Sequence, residues 1–583
     1  MKQLLLSAIA CCLFSANIFS QTIVDEGYFN NWDYGPTSIH GNLRLASTAR
    51  KTYYEIKKTA PGIVTIKHIN PSGIAFSIYT VTFINGLLSR WEEANQWGDL
   101  LEWRIFKEIE KNVFQVTDYS KGVNVFLPCK YSQYVYKNEL LTEIRYFSAN
   151  GNLMENANGI AIVRYKKYDD STRFAMIHEV SYFGAKGEPV KSKFTDFHKA
   201  VYEINELNER ISETYFGTDG QPTTTRRSDV AEIHNSYDSD GNNIKIEFLG
   251  LAHQLVANLN GVAMSTLEFE NGYDIKTTRY DAQRQPVKAA ASGDGLAVIK
   301  SVYDSSGNRK NESYYDEHEA PINDHTGVHE ISYRYNAGNM LTRVSYYNLR
   351  GKPALNRDKV HVIYYSRDSL GRISEKYLLG LLLEPVKDFV NQAYMIRYAY
   401  DQMGRDSLTS YWQDSTTKMP RWSGAYAEAD RYNEDGQLSE YQFLDAENHP
   451  LIGSDGASTV RLSYNDDSRV KERLFLADDA SGAKSVNRTR GVTSGYALIR
   501  YNYNITGQVS EIEFFDTEGN PVNAQIDFDN IFLAHKIEFT YRSFRPIEQK
   551  YYLIGKKDAV RTVDCLTNDF IAPNGISTGR KNQ

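Results

Sequence analysis

Two columns of aromatic residues run in phase along most of this chain and restrict its fold more than any other feature. The first closes a short alternating segment: Tyr136, Tyr168, Tyr202, Tyr237, Phe269, Tyr303, Tyr335, Tyr365, Tyr400, Tyr432, Tyr464, Tyr503 and Tyr541. The second follows about eleven residues later: Tyr146, Tyr182, Tyr215, Phe248, Tyr280, Tyr314, Tyr346, Tyr377, Tyr411, Phe443, Phe475, Phe514 and Tyr551. The period is about 33 residues, with one longer step before Tyr503, which predicts about thirteen stacked units between residues 124 and 560.

Each unit reads as a β-hairpin. In "HEISYRYN" Ile331, Tyr333 and Tyr335 share one face and Ser332 and Arg334 the other, the alternation of a strand covering a core on one side. A turn such as "YDSDGN" or "YNEDGQ" follows, in which Asp or Asn accepts from the backbone and glycine supplies a positive φ. The second strand changes parity beside the turn, as at Tyr441 in "LSEYQFL", which predicts a bulge. It ends at a turn such as "EFFDTEGNPV", where Pro189, Pro321 or Pro521 stops the pairing and sets the exit direction. The fold class is therefore all-β, an array of antiparallel hairpins wound as a spiral or layered solenoid. An aromatic content of 13% with 42 tyrosines suits half-buried strands.

These phrases, "YDSSGNRKNESYYD" and "YNITGQVSEIEFFDTEGNPV" above all, resemble the tyrosine-aspartate (YD, or RHS-type) repeats of secreted bacterial proteins, and also variant MORN-like hairpin repeats. The resemblance covers about three quarters of the chain and implies stacked hairpins more firmly than any activity. The period here is longer than the usual YD unit, and the closing segment and variable tip of large RHS shells are absent.

Outside the array, residues 1–20 have one lysine and an apolar run, which reads as a secretory signal peptide cleaved after Ser20; lipidation at Cys11 or Cys12 is the alternative. Residues 21–123 read as a divergent, tryptophan-rich β cap in which "SRWEEANQWGDLLEW" is a helix or a long loop, and 561–583 as an irregular tail. Export leaves Cys129 and Cys565, which are able to pair only if the array coils back or closes, since a disulfide needs Cα atoms within about 7 Å.

Chemistry is faintly signalled. Asp324, His318, His325 and His329 hold metal-ligand residue types, but no helix organises their spacing, and we expect no metal or other cofactor. "DSDGNN" resembles half of a calcium loop without its distal glutamate. A glutamate column (Glu143, Glu179, Glu213, Glu312, Glu375, Glu440, Glu472, Glu511, Glu548) faces cations on first strands (Arg164, Lys300, Arg334, Arg397, Arg431, Arg461, Arg500), which reads as a charge ladder on the solvent face. Trp91, Trp97, Trp103, Trp412 and Trp422 are candidates for a binding surface, with packing inside the β cap as the favoured reading of the N-terminal ones. A net charge of −7 without a basic block argues against nucleic acid. These features point to a non-enzymatic secreted or envelope protein that presents a surface to a protein or glycan partner, periplasmic, outer-membrane-associated or extracellular. An RHS-type shell is one alternative, and a carbohydrate-active enzyme with its site in the N-terminal region is another.

Overall fold

A computed structural model describes the chain from Ile23 to Asp564, except for residues 46–47, 49–50, 96–99, 121–128, 130, 149, 157, 169–175, 227, 289–295, 389–390, 403, 422, 434–436, 454–455, 466–468, 479–482, 485–494, 505–507, 526–532 and 543–544. Among the described residues there is no helix. Thirty-seven strands form one sheet, antiparallel except where Ile23–Val24 lies parallel to Ser38–Ile39. Among the described residues no pairing joins the first strand to the last, and the sheet is open.

Thirteen hairpins run from Tyr131–Phe147 to Lys536–Tyr552, one for each predicted unit. The unit beginning at Val298–Tyr303 shows how local chemistry builds them. Asp304 Oδ1 accepts from the amides of Ser306 and Asn308, both at 2.9 Å, and Gly307 takes φ 80°. After the strand Arg309–Tyr315, Asp316 repeats the device with His318 and Ala320, and Glu319 takes φ 57°. Asp324 repeats it again with Thr326 and Val328, and Gly327 takes φ 98°. One unit is therefore two strands and three side-chain-capped turns. The first two turns are the ones legible in the sequence motifs, and the third adds to them.

Where glycine replaces the capping residue, the cap comes from the far end of the turn. Glu188, Gln254 and Glu384 accept from the amides of Lys186, Ala252 and Leu382, at 3.0, 3.0 and 2.7 Å. A Cβ at Gly184, Gly250 or Gly380 would lie 2.5, 2.4 or 2.2 Å from those same side chains, so the glycine makes room for the substitute.

The parity change is a bulge. Arg431 pairs with Glu440 and Tyr432 with Leu438, which leaves Ser439 as the extra residue. The displaced ladder leaves a carbonyl to be satisfied, and the next unit supplies the donor. Tyr464 Oη donates to Leu438 O at 2.7 Å, Tyr503 to Val470 at 2.7 Å and Tyr541 to Val509 at 2.9 Å. With Tyr237, Tyr400 and Tyr432, which donate in the same way to Arg210, Ile373 and Asp406, six members of the first aromatic column are hydrogen-bonded staples between units. Arg367, not Tyr365, occupies this place in its unit and sends its guanidinium to Leu341 O. Lys167 and Ile204 take the place expected of Tyr168 and Tyr202.

The exit proline does not end the pairing. Pro189, Pro321 and Pro521 bridge back to Phe183, Tyr315 and Phe515, and the following residue donates to the strand, as Ile322 does to Tyr314 at 3.1 Å. The missing N–H therefore falls at a non-donating position. The doubled-back segment covers the apolar face: Ile322 and Val328 pack with Tyr314 and Tyr346. Most of the second column lies in this core, with Tyr411, Phe443, Phe475 and Phe514 at most 1% exposed. Two expected members do not. Leu378 fills the place assigned to Tyr377, which stacks on Tyr364 on the opposite face, and Tyr280 also belongs to that face, with Arg279 in its stead.

The N-terminal region is continuous with the sheet. The described residues of "SRWEEANQWGDLLEW" are strand, not helix or loop, since Leu87–Asn95 and Leu100–Glu110 are paired. At the other end, Arg561–Asp564 adds a strand inside the stretch read as an irregular tail. The sheet coils. Tyr273 Oη donates to Ser72 Oγ at 2.8 Å, although thirteen strands, Ala75–Ile84 to Met264–Glu270, lie between them. Glu139 likewise reaches Ser38, and Lys167 pairs with Asp33. Inside this first turn of the coil, Trp32 packs on Tyr79 and Tyr34 on Phe106.

Candidate functional site: the two faces of the coiled sheet

The outer face carries a recurring triplet of carboxylate, cation and ring. Glu143 pairs with Arg164 of the next unit at 2.8 Å, and that guanidinium lies 4.1 Å from the Phe183 ring centroid. Glu375, Arg397 and Trp412 repeat this at 2.8 and 4.2 Å, and Glu472, Arg500 and Phe515 at 3.0 and 4.6 Å. Lysine substitutes in Glu179–Lys199–Phe216 and Glu511–Lys536–Tyr552. The ion pair holds the cation in place, and the cation caps the ring. Burial raises the Glu143 carboxyl, but Arg164 and Arg145 outweigh it and hold the group below the usual carboxylate range. An open groove of about 470 Å³ lies over the first triplet, lined by Glu143, Arg145, Arg164, Lys166, Glu179 and Phe183 among others.

The ladder expected from sequence needs two corrections. Glu213 and Glu312 sit on the inner face, where Glu312 accepts from Tyr314 Oη at 2.8 Å and pairs with Arg309. Lys300 meets the turn residue Glu319 at 2.9 Å, not a column glutamate. The rings of the triplet were not anticipated, apart from Trp412. Their signal is the residue directly after the second column, as in "YF", "YW" and "FF".

The inner face is a wall of tyrosines interrupted by charge. One position per unit, three residues before the bridging residue, is aliphatic in five units (Ile144, Val180, Ile246, Val344 and Ile512) and neutral in four more (Thr277, Thr409, Tyr441 and Gln549). It holds Glu213, Glu312, Lys376 and Arg473 in four others. Near the N-terminal end, Arg104 binds Asp118 at 2.8 Å and Glu102 at 3.0 Å. Tyr34, beside it, is pushed up to about 12 by burial. His68, stacked on Tyr54 at 4.1 Å, is lowered to about 4 by burial.

The remaining candidates have structural surroundings. Trp91 is 6% exposed, part of the core, with Arg104 over its ring at 4.5 Å, so it offers no surface to a ligand. Trp103 is half-buried, Trp412 belongs to an outer triplet, and Trp97 and Trp422 lie outside the described residues. Asp324 caps a turn, His318 and His325 are exposed, and His329 Nδ1 contacts Ile322 O at 2.8 Å, with its ring edge-on to Tyr315. Among the described residues no three His, Cys, Asp or Glu side chains gather as for a metal. Asp238 of "DSDGNN" caps its hairpin turn through Asp240 and Asn242. Cys129 is half-buried; Cys565, the signal segment and most of the insertion before Tyr503 lie outside the described residues.

No family model matches the chain, and no curated protein matches it. Among solved structures, the chain aligns with TcdB2-TccC3 without its hypervariable C-terminal region at 12% identity and a TM-score of 0.34, over 88% of this chain and 25% of the other. The Tc holotoxin pore of Photorhabdus luminescens aligns at 11% identity and TM-score 0.29, over 86% and 25%. A porin-like protein of Bacteroides uniformis aligns at 9% and 0.13, over 56% and 92%. This chain spans about a quarter of the length of the first two, and superpositions this loose carry no argument about function.

Proposed function

We propose that this is a non-enzymatic, exported repeat scaffold that offers an extended surface to a protein or glycan partner in the cell envelope. The observation that carries the reading is the repetition of the outer triplet in five units, since a row of near-equivalent sites suits an extended partner contacted many times. Equivalent carboxylates, each neutralised by a cation, are the opposite of the differentiated pair that glycoside hydrolysis requires. The test immobilises the mature chain and identifies what it retains from its native envelope fraction. Reversing two cations, Arg397→Glu with Arg500→Glu, should abolish that retention while strand dichroism is unchanged. Undiminished retention would remove the outer face from the account.

A second reading, an enclosing shell related to RHS-type repeats, is supported by the contact between Ser72 and Tyr273, which bends the sheet round on itself. Electron microscopy separates the two: a hollow closed particle supports the shell, and an open curved ribbon the binding scaffold.

A further inference from the structure

The four charged residues at the inner position provide an internal comparison. Glu213 pairs with Arg210 at 3.3 Å, Glu312 pairs with Arg309, and Lys376 pairs with Asp388 at 3.1 Å. Three of the four charges therefore carry a counter-charge from their own surroundings. Arg473 differs: it has no ion pair with any carboxylate of the described residues. Its side chain is half-buried, its Nε is shielded from solvent and donates to nothing, and its guanidinium lies 5.5 Å from the Tyr501 ring centroid. The phenols of Tyr501, Tyr441, Tyr496 and Tyr503, and no carboxylate, form its electrostatic surroundings. Leu462 and Ile499 flank it across the sheet.

A guanidinium held among neutral rings, with a donor withdrawn from water, is an expensive arrangement. A cation with a donor withdrawn from water and no counter-ion is destabilised, and a single ring contact offsets only part of that. The planar fork matches a carboxylate or phosphate in two-point hydrogen bonding, and the surrounding phenols add hydroxyl donors. We infer that the inner face at Arg473 is a binding site for an oxyanion, a carboxylate or phosphate group, seated against the guanidinium within the ring of Tyr441, Tyr496 and Tyr501. This site is independent of the outer triplets and does not rest on their proposed role.

Titration calorimetry on the full mature chain, at constant ionic strength, tests it with inorganic phosphate in one arm and succinate in the other. One-site binding in either arm, weakened at least tenfold in Arg473→Met, is the expected result, and the arm that binds identifies the group. In anion-free buffer Arg473→Met should be no less stable to urea than the wild type, because it removes an uncompensated charge. If that variant does not fold, Arg473→Lys keeps the charge but loses the planar fork, and should also bind at least tenfold more weakly. Lys376→Met, at the paired equivalent position, should bind as wild type. Absence of binding in both arms, or binding that survives both Arg473 substitutions, would overturn the site and leave Arg473 as a structural cation held by its rings.

Discussion

If the tyrosine staples join the units, deleting one hydroxyl should loosen one junction. Tyr464→Phe removes the donor that reaches Leu438 O at 2.7 Å and leaves the ring in place. A hydrogen bond of this kind contributes about 1 kcal/mol net, and leaving its half-buried carbonyl without a donor adds a penalty that brings the total to about 1–2 kcal/mol. In a repeat array the loss stays between neighbours rather than spreading over the chain, so hydrogen–deuterium exchange resolved by segment is the suitable assay. Exchange in 438–444 and 459–464 should accelerate roughly 5- to 30-fold, the equilibrium equivalent of that energy, while 131–147 is unaffected. Tyr365→Phe is the matched control. It belongs to the same sequence column, but Arg367 makes the inter-unit bond in its unit. Its exchange should change less than about twofold, since no comparable bond is lost. Equal effects for the two variants would refute the staple and reduce the column to packing.

Further tests address other parts of the account. Tyr34, Tyr79, Tyr165, Tyr333 and Tyr464 are each held up to about 12, chiefly by burial, against 10.0 ordinarily. A raised folded value contributes stability below the unfolded pKa and loses it as pH rises towards the folded one. Strand dichroism should therefore collapse between pH 10 and 12 together with the appearance of tyrosinate absorbance; full ionisation near pH 10 with the sheet intact would contradict the burial. Gly519 has φ 88° with open space around its missing side chain, so Gly519→Ala should destabilise its turn in urea by about 1–2 kcal/mol through backbone strain alone. Gly519→Asn should recover most of this, because Asn448 holds φ 69° at the equivalent position of another exit turn. Arg421 and Glu428 form an ion pair at 2.6 Å, 3% and 4% exposed. Arg421→Met should cost about 3–5 kcal/mol in urea, and pairing it with Glu428→Leu should restore much of the loss.

The sequence exposed the array because its constraints are local and repeated. An Asx residue, a glycine and an aromatic at a fixed spacing specify a capped hairpin whatever the surroundings, so thirteen hairpins were countable in advance. It misplaced residues wherever one step along a strand decides the face. Tyr280 and Tyr377 look like members of the second column, yet a one-residue offset turns each to the opposite side, because strand side chains alternate. Glu213 and Glu312 were placed on the outer face for the same reason. The coil was beyond reach, since no single residue announces a contact like that of Ser72 with Tyr273. Trp91 follows the packing reading of the N-terminal tryptophans, not the stacking one: it fills the core under Arg104. Arg473 stands out only after the partners of Glu213, Glu312 and Lys376 have been traced.

The account rests on a sheet that coils, and the distance between residues 72 and 273 tests this most directly. Spin labels at Ser72→Cys and Tyr273→Cys, in a chain whose own cysteines are replaced by serine, report that distance by dipolar coupling. The coiled sheet predicts separations below about 20 Å, because the native side chains touch at 2.8 Å. Thirteen strands laid flat at about 4.8 Å each would give roughly 60 Å, and a resolved distance near that value would contradict the coil and the enclosed inner face with it.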